Sequence, residues 1–168
     1  MMSQTYKKKN KVVSPKNKLP DLIKACIFYG SDKDGKITKT KLAKLVYLSD
    51  FSYYYDNLKP ITGLEYRKLR YGPVSLEYFD KLTELELKKV IEVNKDKAEM
   101  ISLKEKKGKF SLSESELETV KKVCKKWKSR PTKDIVDFTH NQFPWSIARE
   151  NEKIPYHLIT QEDASSIF

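Results

Sequence analysis

Hydrophobic residues recur at helical spacing in the first third of the chain, where they predict two helices. The first is expected to begin near Pro20, which suits a first helical turn, and to end at Gly30. The second is capped by Thr38 or Thr40 and should run to about Tyr55. Because the second helix is nearly apolar on two sides, we expect it to be the buried centre of the fold.

The stretch from Tyr71 to Val74 interrupts this pattern, because glycine and proline disfavour the interior of a helix or strand. Residues 64–71 before it are typical of an extended segment. After it, apolar residues return at helical spacing, and Pro73 suits the first turn of that helix. The stretch is therefore predicted to be an elbow, made of an extended arm, a tight turn and a helix start. It is either a structural bend or a rigid surface that presents Arg70 and Tyr71 to a partner.

Two β-rich runs follow, near residues 88–93 and 99–104, and the polar residues between them suit a hairpin turn. A third short run, at 110–112, is a candidate pairing segment. Together with the extended segment at 64–71, the two longer runs are expected to form a small antiparallel sheet. Helices around a central hydrophobic helix, combined with this sheet, predict a mostly helical α+β fold in a single domain.

Further helices are predicted towards the C-terminus. Ser113 and Glu116 form a capping box, which marks the start of a helix that Pro131 ends. A short helix follows and ends at His140, where the helix dipole would favour a positive charge. Pro144 suits the first turn of a last short helix.

At 168 residues the chain is long enough for one domain with a substantial core. We expect a flexible basic tail at 1–18, the domain itself at 19–160 and a weakly structured tail at 161–168. No apolar run approaches the roughly 20 residues that span a bilayer, and no signal peptide is expected. Cys26 and Cys124 lie far apart in helical patterns and are expected to be buried thiols, which fits a cytoplasmic compartment.

A formal net charge of +11 favours acidic partners, either nucleic acid or an acidic protein surface. The lysines are spread over every predicted element, however, as on an ordinary solvated surface. No recognition-helix motif accompanies them. We therefore expect any nucleic-acid binding to be weak, sensitive to salt and indifferent to sequence.

The sequence lacks the usual motifs for catalysis or metal binding. Asp32, Asp34 and Gly35 match part of a calcium-binding loop, but Gly30 and Lys41 stand where its terminal carboxylates belong. The cysteines and histidines lack zinc-ligand spacing, and neither cysteine lies in the signature of a catalytic nucleophile. With only 5 glycines, a phosphate-binding glycine-rich loop is not expected. The residues favour a binding protein without a metal or cofactor over an enzyme.

Four motifs occur in order along the chain: Lys41-Leu42-Ala43-Lys44-Leu45-Val46-Tyr47-Leu48, Ile61-Thr62-Gly63, Tyr71-Gly72-Pro73-Val74, and Thr139-His140 with Pro144-Trp145. In this order they resemble the Panacea domain, also called SocA-like, over residues 19–158. The resemblance implies an antitoxin that neutralises a companion toxin, generally by direct protein contact and in some members as an adaptor that delivers the toxin to a protease. Such proteins occur in bacteria, phages and mobile elements, and the resemblance carries over no catalytic residues.

The candidate partner-binding residues come from the elbow and from the last motif. They are Arg70, Tyr71, Gly72, Pro73, Val74, His140, Pro144 and Trp145. His140 and Trp145 have a structural alternative, because an aromatic residue after a proline often fills the edge of a core. The favoured function is an antitoxin that binds a toxin protein. The alternatives are a nucleic-acid-binding regulator and an enzyme with an unrecognised site, and a small toxic open reading frame beside the gene would favour the first.

Overall fold

The structure is a computed structural model that describes residues 15–168. Most of the predicted basic tail, residues 1–14, lies outside the described residues. The described part confirms a mostly helical α+β domain. Its helices and strands are α1 (Leu19–Gly30), β1 (Ile37–Thr38), α2 (Lys39–Asn57), β2 (Arg67–Leu69), β3 (Gly72–Val74), α3 (Leu76–Leu87), β4 (Ile91–Asn94), β5 (Met100–Leu103), α4 (Glu114–Trp127), α5 (Thr132–Asn141) and α6 (Phe143–Ile147).

Helix α2 is the centre of the fold, as its apolar pattern predicts. Thr38 caps it by accepting a hydrogen bond from the backbone N–H of Lys41 (3.1 Å), and Leu58 ends it in a left-handed conformation. Every residue from 41 to 53 is buried, because α1, α4, α5 and the β2–β3 hairpin pack around the helix. Two lysines of α2, Lys41 and Lys44, are therefore interior residues.

The strands form two separate sheets rather than the single sheet that was expected. β4 and β5 form the predicted antiparallel hairpin, and the two-residue β1, too short to give a strand signal, pairs with the other edge of β5. The segment at 64–71 pairs instead with the residues directly after it, as β2 with β3. Residues 110–112 form no strand, and the Phe110 ring packs edge-on against Phe28 with 5.7 Å between centroids.

The local geometry predicted for the elbow was wrong. Gly72–Val74 is strand β3, and the tight turn lies one step earlier, at Arg70 and Tyr71. Helix α3 begins only at Leu76, so proline does not occupy its first turn. The elbow is a short β-hairpin followed by a helix, which places the turn residues at the tip of the hairpin.

Proline is tolerated in β3 because of the pairing register of the hairpin. Pro73 lies opposite Lys68. The backbone of Lys68 forms its hydrogen bonds outside the hairpin, donating to Glu152 and accepting from Asn151. The Lys68–Pro73 pair therefore exchanges no ladder hydrogen bond, and the N–H that proline lacks is not needed there.

Two local predictions are confirmed. The side chain of Ser113 accepts a hydrogen bond from the backbone N–H of Glu116, and the Glu116 carboxylate accepts one from the backbone N–H of Ser113, so α4 begins with a capping box. Cys26 and Cys124 are free thiols, and both are buried. These features depend on local sequence or on helical spacing, which is why they could be predicted.

The C-terminal residues are packed more closely than a weakly structured tail. Ile167 is buried, and Gln142 Nε2 donates hydrogen bonds of 2.9 Å to the carbonyl oxygens of Ser166 and Ile167. Gln142 lies between α5 and α6. The end of the chain is thus attached to the elements that carry the last family motif. This arrangement depends on tertiary contacts, so no periodic pattern in the sequence predicted it.

Candidate partner-binding site

The structure brings the elbow and the last motif together, although they are far apart in the sequence. Strand β3 packs against both α2 and α5. Gly72 has a φ of +120°, and a Cβ at this position would stand 2.6 Å from Lys44 Nζ and 3.3 Å from His140 Nε2. The backbone conformation therefore requires glycine, and a Cβ would also displace the end of the buried Lys44 side chain. Gly72, Lys44 and His140 form the interior of the site.

His140 lies flat against Trp145, with ring centroids 4.4 Å apart and ring planes 5° from parallel. Burial lowers the pKa of His140, and the positive charge of Lys44 lowers it further, whereas a backbone hydrogen bond with Tyr71 opposes the change. His140 is therefore mostly neutral at pH 7, although the dipole of α5 favours a positive charge at this end of the helix. The attraction of a helix end is smaller than the cost of burying an imidazolium beside a lysine.

Lys68 of β2 attaches the last motif to the hairpin. Its Nζ donates hydrogen bonds to the carbonyl oxygens of Trp145 (3.0 Å) and Ala148 (3.1 Å). The same nitrogen lies 4.7 Å from the centroid of the Trp145 ring, within the range of a cation–π contact. Trp145 is thus held between the His140 ring of α5 and the Lys68 ammonium of β2. These contacts fix the last motif relative to the hairpin.

Lys44 is a site residue that the sequence pattern did not single out. Its side chain is buried, with a relative exposure of 2% for the residue. Its Nζ has one hydrogen bond, 3.4 Å long, to the carbonyl oxygen of Pro73, and no carboxylate among the described residues forms an ion pair with it. Burial lowers the pKa of Lys44 to about 8. The only sign of this role in the sequence was that Lys44 lies within a long apolar stretch. In the sequence, Lys44 was noted only as part of a family motif.

A groove of about 240 Å³ opens between the hairpin, α2 and α3, and Lys44 contributes to its lining. The pair of Lys39 and Glu99, 3.1 Å apart, lies along the same groove. Tyr71 is 70% exposed, so the apolar surface beside the groove is accessible. The apolar walls are formed by Ala43, Leu69, Tyr71, Val74 and Phe79.

The eight candidate residues differ in how far a partner can reach them. Arg70 and Tyr71 are exposed at the hairpin tip, where the Arg70 guanidinium lies 5.6 Å from the centroid of the Tyr71 ring. His140 and Trp145 are half-buried. The other four are buried: Gly72, Pro73, Val74 and Pro144.

The described residues offer little for catalytic or metal chemistry. A hydrogen bond with Cys26 and burial raise the pKa of the Cys124 thiol, the opposite of an activated nucleophile. Asp32 accepts hydrogen bonds from the backbone of Asp34 (3.0 Å) and Lys36 (3.1 Å), which accounts for its place in a turn. In the part of the chain that the structure describes, no group of three or more His, Cys, Asp or Glu side chains is arranged to hold a metal ion. None of the described helices is both long enough and apolar enough to cross a membrane.

The site coincides with the region that a protein-family model matches. The model of the antitoxin SocA-like, Panacea domain matches residues 42–146, more than half of the chain, and includes Lys44, the hairpin and the His140–Trp145 stack. The chain belongs to this family. The resemblance predicted from the sequence is confirmed, over a narrower span than 19–158. No curated protein and no solved structure matches the chain.

Replacing Gly72 with alanine should destabilise this Panacea-domain protein by about 1–3 kcal/mol, because alanine is strained at a φ of +120° and its Cβ would crowd Lys44 and His140. Denaturant unfolding measures the loss. Gly63→Ala is the comparison, because Gly63 has a φ of +70°, in the left-handed region where alanine is less strained, and a Cβ there would have its nearest contact at 3.8 Å. Equal losses for the two variants would contradict the crowding at Gly72.

Proposed function

We propose that this Panacea-domain protein neutralises a co-encoded toxin by binding it directly, through the surface around the hairpin tip. Family membership supports an antitoxin role and, in general, a toxin as the partner. We choose this surface because Tyr71 is exposed beside Arg70 at the mouth of a largely apolar groove. Tyrosine and arginine are among the residue types that most often dominate the binding energy of protein interfaces.

Charge supports the same proposal. A net charge of +11 would speed the encounter with an acidic protein surface, and Arg70 places one of these charges next to the groove. Neutralisation would follow from the contact itself, and delivery of the bound toxin to a protease is a second way in which the same contact would act. We place this activity in the cytoplasm and assign no catalytic step to the chain.

Arg70→Glu should weaken toxin binding by about 1 kcal/mol or more and slow association, because it reverses a charge at the centre of the proposed surface. The stability of the free protein should change by less than about 0.5 kcal/mol, since Arg70 is exposed. Co-expression with the neighbouring toxin gene measures growth rescue. A thermal melt of the purified variant and its association rate with the toxin complete the measurement.

Lys122→Glu on α4 is the control, because it makes the same charge change at an exposed position outside the groove. It should rescue growth as the wild type does. Full rescue by both Arg70→Glu and Tyr71→Ala, with unchanged melts, would remove the hairpin tip from the interface. The half-buried face of His140 and Trp145 would then be the next surface to test.

A second candidate function, nucleic-acid binding, is favoured by a separate groove of about 410 Å³ lined by lysines. Three of these lysines already form ion pairs with glutamates at distances of 2.6–3.0 Å, which reduces the charge left for phosphates. Lysines also act as point charges without base readout, so we rank this function below toxin binding. The lysines of the groove are Lys24, Lys88, Lys89, Lys104, Lys107 and Lys109.

A further inference from the structure

Lys44 carries a buried charge with very few hydrogen-bond partners. An ammonium group has three donors, but Lys44 Nζ has one bond of 3.4 Å, to the neutral carbonyl of Pro73. Two other lysines of the region are better satisfied. Lys41 and Lys68 each donate to two carbonyl oxygens, at distances between 2.6 and 3.1 Å. The difference leaves Lys44 Nζ with donors that no group of the described chain uses.

The groups closest to Lys44 do not supply the missing negative charge. His140 Nε2 is buried, has no hydrogen-bond partner among the described residues and belongs to a mostly neutral ring. Glu99 lines the same groove, but its carboxylate pairs with Lys39 at 3.1 Å. The groove therefore combines apolar walls with a cation that retains unused donors.

We propose that this groove binds an aspartate or glutamate side chain of the toxin, presented between apolar side chains, and that its carboxylate pairs with Lys44 Nζ. The volume of about 240 Å³ is enough for one or two side chains, and Tyr71, Val74 and Phe79 would cover their apolar parts. The inference rests on the proposed function, because the toxin is the source of the carboxylate. It adds the chemistry by which that partner is recognised.

A carboxylate suits this groove better than a nucleic-acid phosphate. Binding of a phosphate backbone uses several exposed cations along an extended track. Here one ammonium lies on a residue that is 2% exposed and next to apolar side chains, where a lower local dielectric strengthens a single charge pair. Such a pair also gives specificity, because removal of one member leaves the other charge buried and unpaired.

The test compares the toxin affinity of the full-length protein with that of Lys44→Met and Lys41→Met. The probe is the protein encoded beside this gene, purified as an inactive variant. Lys44→Met keeps a similar stem without the charge and should weaken binding on the order of 30-fold or more. Lys41→Met removes a buried lysine one turn earlier on α2 that lines a different cavity, and it should bind as the wild type does. Equal affinities for Lys44→Met and the wild type would overturn the inference.

A second arm locates the carboxylate. Each exposed aspartate or glutamate of the toxin is changed to its amide, and one such change should weaken binding to the wild type strongly and to Lys44→Met only slightly. The absence of any coupled acid would overturn the inference. Coupling to the toxin's C-terminal carboxylate instead, seen when that terminus is amidated, would overturn the choice of a side chain.

A direct readout separates pairing from packing. In protein labelled with ¹³C at lysine Cε, the pKa of Lys44 should rise when the toxin binds, because a carboxylate favours the charged ammonium. An unchanged pKa in the complex, or a rise caused by a DNA duplex instead of the toxin, would overturn the inference. If the wild type itself neither binds the toxin nor rescues growth, the proposed function fails. If the wild type binds the toxin but Lys44→Met binds it equally well, only the inference about Lys44 fails.

Discussion

Lys44→Met is expected to raise the stability of the unbound protein at pH 7 by up to about 3 kcal/mol. Burial lowers the pKa of Lys44 from 10.5 to about 8, because it disfavours the charged form. Each tenfold change in proton affinity corresponds to about 1.4 kcal/mol, which sets the cost of keeping this lysine charged in the fold. Methionine keeps a similar unbranched stem in the same space and loses only one long hydrogen bond. Denaturant unfolding measures the gain.

The gain should disappear at alkaline pH. Below pH 8 the lysine holds its proton in both the folded and the unfolded chain, so the cost of the buried charge is fully present. Between pH 8 and 10.5 the folded chain has released the proton and the unfolded chain still binds it. The difference between variant and wild type should therefore fall by about 1.4 kcal/mol per pH unit across this window. Taking the difference at each pH cancels the titration of the groups that the two proteins share.

Lys41→Met is the control for this prediction as well. Lys41 is buried in the same helix, but its Nζ donates to the carbonyl oxygens of Lys128 (3.1 Å) and Arg130 (2.6 Å). Its removal would leave these acceptors without a donor, so no comparable gain is expected. A Lys44→Met variant that is less stable than the wild type at pH 7 would contradict an unpaired buried charge. A more stable variant that no longer binds toxin would mean that Lys44 is retained for toxin binding although it lowers the stability of the free protein.

The helices were predictable because their signals are local and periodic. The apolar stripe of α2 and its candidate threonine caps predict a start after Thr38 or Thr40 and an end near Tyr55, and the helix runs from Lys39 to Asn57 with Thr38 as its cap. The elbow was not predictable in the same way. Whether Pro73 can lie in a strand depends on its pairing with Lys68 and on the outward hydrogen bonds of Lys68 to residues 151 and 152. That information lies in tertiary contacts rather than in the neighbouring sequence.

The candidate site shows the same division. The sequence motifs identified the elbow and the last motif as candidates, and the structure places them side by side around Gly72. The state of the charges inside the site could not be predicted, because it depends on burial. His140 is held neutral next to Lys44, and Lys44 itself has no carboxylate partner in the described part of the chain. Both facts follow from the burial of α2 in the core. The sequence predicts that the helix as a whole is buried, but it does not predict which of its polar atoms lack a partner.

Asp50 is another ionisable residue buried in α2, and its hydrogen bonding contrasts with that of Lys44. Thr62 donates its backbone N–H to Asp50 Oδ1 at 2.8 Å and its hydroxyl to Oδ2, which also accepts from Tyr66 at 2.7 Å. Burial raises the pKa of Asp50, and the hydrogen bonds from Thr62 and Tyr66 oppose that change. These bonds attach α2 to the segment that leads into the β2–β3 hairpin, so Asp50 supports the candidate site from the core.

Asp50→Ala should lower the stability by at least about 3 kcal/mol, because it leaves the N–H of Thr62 and the hydroxyl of Tyr66 buried without their acceptor. Thermal and denaturant unfolding measure the loss, and Asp56→Ala, exposed on the last turn of α2, should stay within about 0.5 kcal/mol. A loss below about 1 kcal/mol would show that the carboxylate does not hold this segment. Growth rescue should fall together with stability in Asp50→Ala, whereas Lys44→Met should lose rescue while it gains stability. Because the two changes in stability have opposite signs, the pair of variants separates support of the site from contact with the toxin.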